Sequence, residues 1–437
     1  MALSTALLIS LAACSTPGGY SSGGGSGEKG FVSLFDGQSL NGWQQIGKKG
    51  DGYIVTNGVI ACSKGGGGKL MTTREYADFI LRFDFRLPEG ANNGVGIRAP
   101  IEGDAAYVGM ELQILDDSNA EKKYGKLRPE QFHGSIYDVI AARRGALKPV
   151  GEWNSQEISA IGRRVKVVLN GQTIMDADLN TVTDAKVLAK HPGLLRERGY
   201  IGFLGHNDYV ELRNLRIKDV TAPEKDNTPP PGFTALFNGK DLVGWKGLLA
   251  RPNDNPSKRA SLKPEELAKA QAEADENMRQ NWKVEDGALV FSGKGRSLCT
   301  AKDYADFEMF VDWKIKELGD SGLYLRGTPQ VQIWDPFNGK PQNKVGSGGL
   351  FNNKTNRSTP TKPADKPIGE WNRFRILMQG EKVTVFLNGE LVVHNVTMEN
   401  FWERDKPIYP TGQIELQNHG NTLWFKNVYL RELPRQP

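Results

Sequence analysis

Five residues in the first half of this 437-residue chain have the types needed to move protons and grip a polyol: Arg98, Glu111, Gln113, Asp116 and His206. A carboxylate and an imidazole can serve as general base and general acid near neutral pH. Guanidinium and amide groups can hold oxygen atoms or steady a developing negative charge. Strand parity gathers most of the set. In Gly94-Val-Gly-Ile-Arg98, Val95 and Ile97 face the core, so Arg98 is expected on the opposite face beside two glycines. In Met110-Glu-Leu-Gln-Ile-Leu-Asp116, Leu112 and Ile114 face inward, which turns Glu111 and Gln113 outward. Asp116 has core parity but ends the strand, where a turn can redirect it. In Tyr200-Ile-Gly-Phe-Leu-Gly-His206, Ile201 and Phe203 point in and His206 has the outward parity. If these strands are neighbours, Arg98, Glu111, Gln113 and His206 converge on one surface.

The second half repeats the pattern with Arg326, Gln332, Asp335 and His419. The exception is the position of Glu111, which is Gln330 there, and an amide neither ionises nor exchanges a proton near neutral pH. By this route only the first copy is competent; the second would bind, orient or dimerise. Each candidate has a structural alternative. Arg98 and Arg326 could form ion pairs with Asp116 and Asp335, and His206 could be a satisfied loop histidine. His133, His191 and His394 have no counterparts in the other copy and read as surface or loop residues. Trp153 and Trp371 read as core anchors rather than sugar platforms.

The elements that must position these groups are written twice. Lys148-Pro-Val-Gly-Glu-Trp-Asn154 leads to Leu169-Asn-Gly171, and Lys366-Pro-Ile-Gly-Glu-Trp-Asn372 leads to Leu387-Asn-Gly389. The interval from Trp to the Asn of Asn-Gly is 17 in both copies (170−153 and 388−371). The alternating stretches Arg164-Val-Lys-Val-Val-Leu and Lys382-Val-Thr-Val-Phe-Leu end in Asn-Gly, a strong hairpin signal. Phe31-Val-Ser-Leu-Phe-Asp-Gly opens one copy and Phe233-Thr-Ala-Leu-Phe-Asn-Gly the other; the period is domain-sized. Thr221 to Pro231 has three consecutive prolines and linker chemistry. The expected units are 31–220 and 233–434, joined by a Pro-rich linker at 221–232. Many short strands and turn signals make the chain all-β, a sandwich or jelly roll in each half with a concave face free for a ligand. One insertion, about 248–280, interrupts the second copy. Pro264 to Gln280 has Pro first, acids next and strong helix formers after, with a thin apolar stripe at Leu267, Ala270, Ala274 and Met278.

The formal charge of +5 is dispersed among acids, and no basic stripe carries interleaved aromatics, so nucleic acid is not an expected partner. Cys62 and Cys299 sit in strand-like contexts in different copies and read as small buried residues. Leu11-Ala-Ala-Cys14 resembles a bacterial lipoprotein cleavage box after a short apolar run, although no Lys or Arg precedes it. That reading makes 1–14 a signal peptide, Cys14 the lipidated terminus and 15–30 a Gly/Ser-rich tether, anchoring the protein to a membrane in the bacterial cell envelope. No His-Glu-x-x-His, paired Cys-x-x-Cys, EF-hand loop, phosphate loop or Gly-x-Ser-x-Gly elbow occurs. No metal or cofactor is required by the sequence, and a structural Ca2+ held in a turn is compatible with it.

As an ordered set, several motifs resemble the 3-keto-disaccharide hydrolase family. They are Leu34-Phe-Asp-Gly37, Asn93-Gly-Val-Gly-Ile-Arg98, Glu111-Leu-Gln-Ile-Leu-Asp116, Pro149-Val-Gly-Glu-Trp-Asn154 and Arg213-Asn-Leu-Arg-Ile217, with their second-copy equivalents. The resemblance implies two tandem concanavalin-like jelly rolls acting on glycosides whose sugar is a ketone at C3. Such a ketone acidifies the C2 hydrogen, so a modest base removes it and the C1 substituent leaves. On that reading Glu111 and His206 are the acid/base pair in either order. Arg98 and Gln113 hold the keto oxygen and hydroxyls, and Asp116 orients Arg98 or His206. Arg326, Gln332, Asp335 and His419 are binding residues of the second copy. The alternative is a non-catalytic carbohydrate-binding lipoprotein, and a structural adhesin module is a third.

Overall fold

The computed structural model describes residues 29–222 and 224–435. The leader, Cys14 and most of the Gly/Ser-rich tether lie outside the described residues. Each half of the chain is a sandwich of an eight-stranded outer sheet on a five-stranded inner sheet. In the first unit the inner strands are β1 (Trp43–Lys49), β2 (Gly67–Thr72), β3 (Asn92–Ala99), β4 (Met110–Leu115) and β5 (Tyr200–His206), in spatial order β1-β2-β5-β3-β4. In the second they are β6 (Trp245–Gly247), β7 (Leu298–Thr300), β8 (Asp320–Tyr324), β9 (Gln330–Trp334) and β10 (Glu415–Leu416), in the order β6-β7-β10-β8-β9. The two inner sheets are the same sheet built twice.

The outer strands follow the alternation of the sequence. Phe79–Arg86 buries Phe79, Leu81, Phe83 and Phe85 and half-exposes the residues between them. The hairpin Arg164–Leu169 to Gln172–Asp178 turns at Asn170 and Gly171, both at positive φ (49° and 81°), the requirement of a type I′ turn. The inner sheet supplies Val95, Ile97, Leu112, Ile114, Ile201 and Phe203 to the same core. Each such side chain contributes roughly 1.5–3 kcal/mol on burial. The inward phenylalanines of Phe79–Arg86 are therefore a main source of cohesion between the layers.

The insertion forms the longest helix among the described residues, α3 (Pro264–Asn281). Two of the shorter helices in the first unit are α1 (Ala105–Val108) and α2 (Ala185–Lys190). Helix α3 buries Ala274 and Met278 and half-buries Leu267 and Ala270, the expected stripe. It lies against β6 at Gly247, where an added Cβ would stand 2.0 Å from the Ala274 carbonyl oxygen. Cys62 and Cys299 are buried free thiols.

Candidate active site

Register defines the inner face residue by residue. One row across the first sheet reads Gln44, Met71, Gly202, Gly96, Glu111; the next reads Ile46, Lys69, Leu204, Gly94, Gln113. Glycine in β3 and β5 keeps the floor low, and the side chains of β4 lie down over it. At Gly94 an added Cβ would stand 1.9 Å from Glu111 Oε1, so only glycine leaves room for that carboxylate. Gly94→Ala should keep the fold yet displace Glu111, and its turnover should fall toward that of a Glu111 variant, measured as kcat with the circular-dichroism spectrum unchanged.

A cavity of about 330 Å3 opens above this floor, lined among others by Lys69, Asn92, Asp104, Tyr107, Glu111, Gln113, Tyr137 and His206. Glu111 is 5% exposed and its Oε1 has no hydrogen-bond donor in range among the described residues. His206 Nε2 stands 3.7 Å from that oxygen, an electrostatic contact just beyond a formed hydrogen bond. The imidazole is 46% exposed, so the pair has a buried acceptor and a solvent-reachable partner. The Glu111 carboxylate raises the His206 pKa above its ordinary value, against the opposing pull of burial. Gln113 Nε2 donates to Asn92 Oδ1 at 3.0 Å. Lys69 Nζ donates to the carbonyls of Ile101 and Gly103, and burial is the main force lowering its pKa. Asp104 caps α1 by accepting from Ala106 N at 3.0 Å. The arrangement offers a base, a proton donor and two nitrogen donors around one small hollow.

Arg98 is elsewhere, contrary to parity. Its backbone turns left-handed (φ 47°), which breaks the alternation at the last residues of β3. The side chain runs under the sheet end, donating to Ala77 O at 3.0 Å, Gly162 O at 2.7 Å and Asp78 Oδ1 at 3.1 Å. Arg326 repeats this at φ 54°, with Ala305 O, Tyr409 O and Asp306. Both arginines are structural, and their carboxylate partners are Asp78 and Asp306 rather than Asp116 and Asp335. Asp116 does not orient Arg98 or His206. It closes a turn, accepting from Gly90 N, Ser118 N, Ser118 Oγ and Asn119 Nδ2. Asp335 does the same with Leu318 N and Phe337 N.

Two histidines read as surface residues are buried. His133 stacks on Phe85, shares a 2.9 Å hydrogen bond with Gln156 Oε1 and is pushed by burial down to about 4. His191 donates from Nδ1 to Ala106 O at 3.1 Å. Trp153 and Trp371 are half-buried on the outer sheets, not in the core. Arg86 and Arg213 cover Trp153, and Lys314 and Lys426 cover Trp371.

Lys69, Asn92, Asp104, Tyr107 and Tyr137 escaped the sequence reading. For Asp104 and Tyr107 the signal was the length of the β3–β4 connection, Pro100 to Gly109, against the five residues Leu325 to Pro329 between β8 and β9. The longer connection carries α1 and builds one wall of the cavity.

The second inner face differs more than one substitution implies. Its row, equivalent to that of Glu111, reads Lys246, Cys299, Glu415, Tyr324, Gln330. Tyr324 and Glu415 replace the two floor glycines. Gln330 donates to Gln332, and Gln332 donates to Asp320 Oδ1 at 2.8 Å. His419 Nδ1 lies 3.6 Å from Asp320 Oδ2, an exposed contact on a different strand from that of Glu111. The insertion packs at this sheet, with Pro256 against Gly327 in the β8–β9 connection and α3 against β6. Burial pushes Glu415 up to about 7. Its folded pKa lies above the unfolded value, so the protonated form favours the fold and that advantage is lost as pH rises from about 4.5 to 7. At ~1.4 kcal/mol per unit this is on the order of 3 kcal/mol. Glu415→Gln should therefore melt higher than the parent at pH 8 and match it near pH 5, in paired calorimetric scans.

Comparison with known proteins fits this architecture. The profile of the 3-keto-alpha-glucoside-1,2-lyase-like domain matches residues 30–218 and again 232–431. The chain belongs to this family, in two copies. A 3-keto-disaccharide hydrolase of Bacteroides thetaiotaomicron is 29% identical over 227 residues, which cover 43% of this chain and 78% of that protein. A solved structure from Parabacteroides distasonis, designated a glycosyl hydrolase, is 25% identical (TM-score 0.39) and spans 44% of this chain and 99% of its own. A second from the same organism is 24% identical (TM-score 0.38), spanning 44% and 95%.

Proposed function

We propose that the first unit cleaves 3-keto-glycosides by removing the C2 proton and expelling the C1 substituent. The observation that carries this is the buried Glu111 carboxylate, whose Oε1 accepts no hydrogen bond among the described residues, 3.7 Å from a half-exposed His206 whose pKa it raises. On this reading Glu111 acts as the base and His206 as the proton donor. Glu111 then takes the C2 hydrogen, which the neighbouring ketone acidifies. The electrons form a C1–C2 double bond as the C1–O bond breaks, and His206 hands its proton to the departing oxygen. Water adding at C1, with a proton returned to C2, completes a net hydrolysis. The Gln113 amide and the Lys69 ammonium are the donors placed to steady the negative charge on the C3 oxygen.

The family match and the Bacteroides relative support the substrate class. The test is a chromogenic glucoside offered before and after oxidation at C3. Aglycone should appear only from the ketone. Tight binding of the unoxidised glycan with no release from either form would instead identify a carbohydrate-binding protein. Because the working form carries His206 protonated, kcat should decline as pH rises through the raised imidazole pKa, and a His206→Gln variant should lose that limb of the profile.

A further inference from the structure

The second unit donates hydrogen bonds to the first along one stretch, Leu179 to Arg196. Arg431 Nη1 donates to Asn180 O at 2.7 Å, Gln379 Nε2 to Thr183 O at 2.7 Å and His394 Nε2 to Ala189 O at 2.7 Å. Arg375 Nη1 donates to Leu195 O. Arg375 and Arg431 are themselves held by the fully buried Glu308 carboxylate, so these donors are fixed before they meet the first unit. Leu377, Phe386 and Leu433 add to the contact by joining the first unit's core.

The far side of the same stretch touches the cavity wall. Gly193 packs so closely on the end of α1 that an added Cβ would stand 2.1 Å from Gly109 O. His191 Nδ1 donates to Ala106 O at 3.1 Å, and its ring meets the Tyr107 ring at 5.0 Å. Asp104, Ala105, Ala106 and Tyr107 line the cavity. The stretch is therefore a bracket with the second unit on one side and the cavity wall on the other.

We propose that the second unit, which lacks the Glu111 carboxylate, serves the first as a buttress, with Gln379 and His394 as positioning residues for the wall formed by Asp104 to Tyr107. A four-residue helix has little stability of its own. Its place is set by what it leans on, and beside β3 and β4 that is a bracket tied down from the second unit. Released from those ties, the wall samples positions that hold substrate less well. The reacting pair on β4 and β5 stays in place, so the loss falls on KM rather than on kcat. This kinetic consequence rests on the function proposed above; the mechanical link does not.

The test uses the full chain carrying Gln379→Ala and His394→Ala together, neither of which touches the cavity. With two hydrogen bonds lost, KM for the 3-keto-glucoside should rise about 5- to 30-fold, with kcat within about twofold of the parent. Amide hydrogen exchange should quicken both in 185–195 and in 104–109. Returning a side-chain donor with His394→Gln in the Gln379→Ala background should recover part of both effects. Quicker exchange confined to the bracket, an unchanged KM, or kcat and KM shifting together with the melting temperature would each overturn the buttress. If the parent chain proves inactive on the ketone, the proposed reaction fails, and exchange at 104–109 still decides this inference by itself.

Discussion

Replacing Glu111 with glutamine should give a folded protein whose turnover of a 3-keto-glucoside is lower by about 10²–10⁴-fold, the usual cost of removing an acid/base group. The fold should survive for two reasons. Oε1 of Glu111 has no donor in range, so an isosteric amide forfeits no hydrogen bond at that atom. The second unit also carries an amide at the same register position, Gln330, lying over Gly322 as Glu111 lies over Gly94. The substitution has a second signature. Without the carboxylate beside it, His206 loses the largest influence that raises its pKa, keeps the smaller ones of Asp104 and Asp208, and keeps the burial that lowers it. Its titration, followed by NMR of the ring protons, should move to lower pH in the variant. A merely structural role for Glu111 would leave that titration shifted and the rate intact.

Arg98→Met should show the opposite profile, a large loss of stability with little loss of catalysis. Methionine keeps the bulk but abandons the Asp78 carboxylate and the carbonyls of Ala77 and Gly162 in a buried corner. Breaking one side of a buried ion pair costs roughly 3–5 kcal/mol. The Asp78 side chain is 27% exposed, so solvent offsets part of this and the lower end applies. For a unit of this size the melting temperature should fall by roughly 5–10 °C. Activity measured well below that temperature should stay within a few-fold of the parent. An Arg98→Met protein that melts normally but no longer binds substrate would return Arg98 to the site.

These two outcomes mark where the sequence was legible. Parity put Glu111, Gln113 and His206 on one face because β4 and β5 alternate without a break up to those positions, and the structure shows the three lining one cavity. Parity failed at Arg98 and Arg326 because each follows an alternating run but adopts positive φ, and one left-handed residue reverses the side-chain direction. Positive φ at arginine leaves no mark in residue type, unlike Asn170-Gly171. Asp116 and Asp335 were misplaced for a related reason: an aspartate at a strand end serves the turn that follows, and its acceptors are consumed there. The repeat, the sandwich and the inserted helix were readable because each rests on many residues agreeing in period. The wall from Asp104 to Tyr107 was not, since a four-residue helix has no period to read. Nor was the change of floor in the second unit, where Tyr324 and Glu415 stand at positions held by Gly96 and Gly202. Comparing one substitution at a time shows Gln330 for Glu111. The register of the whole row shows a face rebuilt.

The most direct measurement is the fate of the C2 hydrogen. The full chain is given a 3-keto-glucoside in D2O, and the sugar released in the first turnovers is examined by NMR and mass spectrometry. Elimination followed by addition of water predicts one solvent deuterium at C2 in every molecule of product, formed at the rate of aglycone release and suppressed in parallel by Glu111→Gln. Product that keeps its original hydrogen at C2 while the aglycone departs at full rate would contradict proton abstraction by Glu111.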